Sequence, residues 1–248
     1  MPQFGLSDTH DDARCTNVFS SVPCQDKKCP VHHSPDHPQK GAPPLSNWFQ
    51  TFTGKLIDAL NPTPDMVDIQ DIAHALSMTC RFGGHCRDFY SVAEHSVLVM
   101  KIGKLPPSVH ESSLHGTVAR LALLLHDAAE AYVGDIVTPV KNLLAGAHAL
   151  ERKWLEAIEK KFDLPNVLSL PGEYVKDADR AILSQEVATL FSPVLPEWWR
   201  KFEPPSQDLF LANPIQCLSP TEARRQFLHV FHSLQLQRGL PNPWTVQP

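Results

Sequence analysis

His126-Asp127-Ala-Ala-Glu130 is the run in this chain with the most chemical content. In a helix, at about 100° per residue, an imidazole at 126 and carboxylates at 127 and 130 fall within one arc of roughly 100°. They lie beside the apolar stripe of Val118, Leu121, Ala122, Leu125, Ala128, Ala129 and Tyr132, not opposite it. Ionisable groups at the edge of a core cost desolvation free energy unless something compensates, and a bound cation is one such compensation. Two further polar residues share that placement. His95 sits among Val92, Ala93, Val97, Leu98 and Val99, and Asp179 between Val175, Ala178, Ile182 and Leu183. Taken singly, each has a plainer reading: His95 as a satisfied boundary histidine, Asp179 as a partner of Lys176 or Arg180, Glu130 as an exposed helix charge.

The elements that must position these groups read as helices. Residues 68–77 place Ile69, Ile72, Ala73 and Leu76 on one stripe. Ser91-Val-Ala-Glu94 is a capping box that opens a helix running through Met100. The stripe from Val118 predicts one helix to Val133, and residues 151–162 and 173–191 predict two more. Ser219-Pro-Thr-Glu222 combines an N-cap serine, a proline at the first helical position and a glutamate two residues on, which predicts a terminal helix to about Gln237. No run alternates in the manner of a strand, so the expected class is all-α, a helical bundle.

Three zones are expected. Residues 1–46 are rich in Pro, His, Asp and Ser without periodicity and read as a flexible tail. Residues 47–192 form the helical domain, and 193–248 an extension whose terminal helix packs on it, with Trp198-Trp199 read as packing residues or an exposed partner patch. Cys24, Cys29, His32 and His33, with His37 beyond, offer zinc-ligand chemistry at irregular spacing; incidental residues in a tail are the preferred reading. The six cysteines are too scattered for a disulfide framework, and reduced thiols are expected.

A chain of 248 residues with 42% hydrophobic content is long enough for one substantial core. Its formal charge of -5 and pI near 6.2 argue against a protein built to grip nucleic-acid backbone. No signal peptide or membrane-length apolar run is present, so a cytoplasmic protein with no membrane partner is expected.

The spacing of His95, the doublet His126-Asp127 and the distant Asp179 resembles the H…HD…D signature of the HD superfamily of metal-dependent phosphohydrolases. Arg81-Phe-Gly-Gly, Phe89-Tyr-Ser-Val-Ala-Glu-His95-Ser and the run Leu124 to Lys141 are similar to the bacterial HD-domain 5′-deoxynucleotidases, and to phage enzymes that hydrolyse dATP to nucleoside and triphosphate. The resemblance spans residues 50 to about 190. It implies that His95, His126, Asp127 and Asp179 hold a divalent ion, and that Glu130 acts on the attacking water or the leaving group. It also implies that Arg81 contacts phosphate and that Phe82, where the nucleotidases often carry Trp, packs on the sugar. Asp135 and Lys141 match positions near the substrate.

Such a ligand set leaves open positions on the ion, from which a phosphoryl oxygen can be polarised and the pKa of water lowered. Mixed nitrogen and oxygen ligands suit Mn, Co, Fe or Zn without choosing among them. The expected substrate is a small deoxynucleotide, with no nucleic-acid partner; a homo-oligomer is compatible with the sequence. Release of phosphate from a monophosphate and release of triphosphate from a dNTP both remain open. A non-catalytic nucleotide-binding module is the reading from a different class, and the complete quartet with Glu130 argues against it.

Overall fold

Two short strands open the described part of the chain, where no strand was expected. The computed structural model describes residues 47–191 and 213–240, so the expectations for the tail (1–46, with its Cys24, Cys29, His32 and His33) and for Trp198-Trp199 lie outside the described residues. β1 (Trp48–Gln50) and β2 (Leu56–Asp58) pair antiparallel, with Phe49 opposite Ile57. Their turn closes through Thr51 N–H to the Lys55 carbonyl and Gly54 N–H to the Thr51 carbonyl, with Gly54 at φ 87°. At three residues each, the strands are too short for alternation to show.

Among the described residues, everything else that is regular is helical. α1 is Ile69–Met78, α2 Val92–Ile102, α3 Leu114–Leu125, α4 Glu130–Val133, α5 Thr138–Lys141, α6 Ala147–Phe162, α7 Glu173–Leu190 and α8 Pro220–Gln237. Their starts follow local chemistry. The side chains of Asp68, Ser91, Ser113 and Ser219 accept from the backbone N–H of Gln70, Glu94, Gly116 and Glu222 in turn. The box at Ser91 is only half used as such. Glu94 is buried and turns its carboxylate to the backbone N–H groups of Gln216 and Leu218, both at 2.7 Å, which ties α2 to the segment that leads into α8.

The helix expected from Val118 to Val133 is interrupted. α3 ends at Leu125, and residues 126–129 wind more tightly, with i→i+3 bonds from Ala128 N–H to the Leu125 carbonyl and from Glu130 N–H to the Asp127 carbonyl. The His126 ring takes the Leu123 carbonyl at 2.9 Å, satisfying an acceptor that the last turn of a helix leaves orphaned.

The core lies between α1, α2, α3 and α8, with α7 against α2 and α3. α8 supplies Ala223, Phe227, Phe231 and Leu234, all buried and spaced as one helical face, so it is part of the core. Trp154 of α6 is fully buried, stacks on Tyr132 at 3.9 Å and donates its indole N–H to the Ala59 carbonyl. Since Ser91 caps the helix that carries His95, Ser91→Ala should lower stability by about 1 kcal/mol, read as a lower denaturation midpoint at unchanged slope.

Candidate metal centre

Four donor atoms from three places in the chain meet at one point. His95 comes from the first turn of α2, His126 and Asp127 from the tight turns after α3, and Asp179 from the second turn of α7. The Nε2 atoms of His95 and His126 are 3.3 Å apart. Asp127 Oδ2 lies 3.5 Å from His95 Nε2 and 3.2 Å from His126 Nε2, and Asp179 Oδ1 lies 3.3 and 4.0 Å from the same two nitrogens. Metal–ligand bonds of about 2.1 Å would set neighbouring donors about 3.0 Å apart at right angles and about 3.4 Å apart at tetrahedral angles. Three of the five spacings fall in that range, 3.5 Å lies just above it and the 4.0 Å between Asp179 and His126 is longer, and His95, His126 and Asp179 form a group that could hold a metal ion. The donor set of two imidazoles and two carboxylates fits a divalent transition ion.

Both imidazoles are oriented from behind. His126 gives Nδ1–H to the Leu123 carbonyl, and His95 Nδ1 lies 2.6 Å from Glu186 Oε1, so each ring turns Nε2 to the cluster. His95 has no exposed surface, and neither does the Glu186 side chain. Burial pulls the His95 pKa down, as does Arg81, but Glu186, Asp127 and Asp179 outweigh them and hold it well above the usual value. Asp127 is the converse: burial would raise it, yet His126 and His95 keep it well below the carboxylate range.

Glu186 was not picked out from the sequence, although the signal was there. It lies seven residues after Asp179 and four after Ile182, so it puts a carboxylate on the apolar face of α7, as Asp179 does. It also accepts from Arg81 at 3.3 Å, while the other arm of Arg81 reaches Asp127 at 3.4 Å. Arg81 is placed by a backbone bridge, its N–H donating to the Tyr90 carbonyl at 2.9 Å. Its Nε is buried without a partner among the described residues.

Glu130 is 5% exposed and projects beside the cluster from the start of α4. Lys141 Nζ is 3.8 Å from Oε1 and holds Glu151 at 3.0 Å, while Oε2 is buried and unpartnered among the described residues. Burial, with Asp127 and Asp135 nearby, pushes the Glu130 pKa well above the carboxylate range. Asp135, also raised by burial and Asp127, feels Arg81 and Lys141 as opposing charges. The structure therefore brings Arg81, Glu130, Asp135 and Lys141 to the cluster. Phe82 instead packs edge-on against Phe191 at 5.0 Å, with the Arg81 guanidinium 5.2 Å from its ring. A cleft of about 270 Å³ borders the cluster, lined by His126, Asp127 and Asp179 together with His148, Glu151, Arg152 and Lys176.

Because Glu186 orients His95, Glu186→Gln should weaken metal binding by about 10–100-fold, measured by competition with a chelator. Unchanged affinity would leave Glu186 as a core carboxylate only.

A family profile for the HD domain matches residues 84–183, a span that holds all four donors. An uncharacterised protein of Rhodobacter capsulatus is 34% identical over 192 residues, covering 75% of this chain and 95% of the relative. The Escherichia coli K12 protein YfdR, also uncharacterised, is 36% identical over 196 residues, covering 76% and 96%. HD domains are in general metal-dependent hydrolases, and no helix among the described residues is long and apolar enough to cross a membrane. With its signature residues gathered at one centre and relatives aligned over nearly their whole length, the chain belongs to the HD-domain family.

Proposed function

We propose that this chain is a metal-dependent phosphohydrolase that cleaves the 5′-phosphate ester of 2′-deoxynucleotides. The observation that carries the reading is a pair of buried, unpartnered polar atoms, Arg81 Nε–H and Glu130 Oε2, on residues flanking a four-donor cluster. A donor without an acceptor and an acceptor without a donor are costly in a folded protein unless a ligand meets them.

His95, His126, Asp127 and Asp179 would hold the ion. Bound there, a divalent ion supplies Lewis-acid polarisation of a phosphoryl oxygen and acidifies water. Arg81 presents Nε–H to an oxygen of the same phosphoryl group, with its two other nitrogens anchored on Asp127 and Glu186. Glu130 accepts a proton at Oε2 as water attacks phosphorus and returns it to the departing 5′-oxygen. Lys141, between Glu130 and Glu151, fixes the Glu130 side chain and moderates its charge. Asp135 bears on the substrate's polar edge, whereas Phe82, packed against Phe191, stands behind Arg81 and supports it.

A second reading is favoured by one observation. His148, Arg152 and Lys176 line the cleft beyond the ligands, which suits a longer phosphate chain and release of triphosphate from a dNTP. Metal-loaded protein incubated with deoxy- and ribonucleoside mono- and triphosphates separates the two by product chromatography. Inorganic phosphate with a deoxynucleoside supports the nucleotidase; triphosphate supports the second reading. Binding of either nucleotide without turnover would overturn both and leave a nucleotide-binding module.

A further inference from the structure

The loop that carries Arg81 is bracketed by two cysteines whose thiols nearly touch. Cys80 Sγ and Cys86 Sγ are 3.6 Å apart. Both ends of the loop are anchored through backbone: Arg81 N–H donates to the Tyr90 carbonyl and Arg87 N–H to the Leu190 carbonyl, each at 2.9 Å. Between them Phe82, Gly83 and Gly84 all take left-handed backbone, at φ 58, 61 and 78°. The chain doubles back and returns Cys86 to Cys80. A disulfide requires sulfur atoms at about 2.0 Å, about 1.5 Å closer than these stand, a gap that side-chain rotation can close. Both residues are partly exposed, and neither belongs to the metal-capable group among the described residues.

We propose that Cys80 and Cys86 form a reversible disulfide that latches the Arg81–His85 loop. The oxidant is a low-molecular-weight disulfide. The Cys80 thiolate attacks one of its sulfurs, forming a mixed disulfide and expelling one thiolate. The Cys86 sulfur then attacks Cys80 Sγ, forming the internal bond and expelling the second; the two protein protons end on the two released thiols. Two electrons pass from the protein to the small disulfide, and any excess dithiol reverses both steps. The order follows from environment, because burial and the neighbouring Cys80 push the Cys86 thiol up to about 11, and the thiolate is the attacking form.

The consequence falls on the next residue. Arg81 holds Asp127 at 3.4 Å and Glu186 at 3.3 Å, both at the long end of the hydrogen-bond range, so whatever backbone adjustment accompanies side-chain rotation at Cys80 is passed to contacts with little slack. This consequence for substrate rests on the role of Arg81 proposed above, whereas the bond itself does not.

The full chain treated with oxidised glutathione, alkylated and cut with trypsin gives a direct readout. Cleavage after Lys55, Arg81 and Arg87 puts the two cysteines on separate peptides, 56–81 and 82–87. The expected product is those two peptides cross-linked, released by dithiothreitol and missing in Cys80→Ser. Recovery of both as alkylated thiols, as separate glutathione adducts, or of Cys80 joined to Cys217 would overturn the proposal. In the activity arm, the KM of the oxidised protein for a deoxynucleotide should rise about 10-fold or more, the size expected for one lost charge-assisted hydrogen bond, while Cys80→Ser, which lacks the attacking thiol, should not respond to oxidation. A cross-linked protein with unchanged KM would overturn the latch. Absence of turnover in both redox states would count against the proposed reaction, and the peptides would still report the bond.

Discussion

Glu130→Gln should retain about one metal ion per chain while turnover falls by about 10²–10⁴-fold, the range typical of lost general acid–base assistance. The substitution keeps the shape of the side chain and leaves His95, His126, Asp127 and Asp179 untouched. What it removes is the ability of Oε2 to accept and return a proton, at an atom that is buried with no partner among the described residues. It also removes the charge facing Lys141, but Lys141 keeps Glu151 at 3.0 Å, so the local ion pairing survives. Measurement of kcat together with metal content by elemental analysis decides the matter. Full activity would remove Glu130 from the mechanism without touching the four-donor cluster. An ordinary surface glutamate would show a stability change within about 0.5 kcal/mol and no change in rate.

Asp127→Asn should fail for the opposite reason. Its carboxylate lies within 3.5 Å of both ligand nitrogens and also takes Arg81, so a neutral amide weakens the cluster at its centre. Loss of a group that merely orients a ligand costs about 10–100-fold in metal affinity, and loss of a ligand should cost more than that. Activity should fall with the metal and return in part as the metal concentration is raised. That response separates the two variants, because excess metal should not restore Glu130→Gln. A metal-free protein, prepared by chelation and dialysis, with undiminished activity would sink the metal-dependent reading altogether.

The residues at the centre were singled out in sequence by their resemblance to the HD signature, and a break in pattern agreed with it. His95, His126, Asp127 and Asp179 each stand beside an apolar stripe, and such a misplacement is visible without coordinates. Glu186 breaks the same stripe on α7, yet a glutamate in a long helix has so many ordinary explanations that only its 2.6 Å contact with His95 distinguishes it. The break after Leu125 was not legible. Apolar periodicity runs on through Tyr132, and the tightening goes with a side-chain bond, His126 to the Leu123 carbonyl, that no periodicity encodes. The hairpin failed to show because three-residue strands carry no alternation, and the approach of Cys86 to Cys80 depends on three consecutive left-handed residues, one of them Phe82. Charge and composition were silent on the substrate.

The place of α8 bears on how the protein is made. Every candidate ligand lies between residues 95 and 179, but the helix that completes the core around α2 begins at Pro220 and delivers Phe227 and Phe231. During vectorial synthesis the donors leave the ribosome first and wait, on a half-built core, for a segment some forty residues behind the last of them. At about 5–20 residues per second, that interval lasts on the order of seconds. Throughout it His95 lacks the neighbours that seal α2 from water, and the nascent chain exposes apolar surface suited to chaperones. Closure of the core around α2 thus waits on arrival of this helix and not on emergence of the candidate ligands.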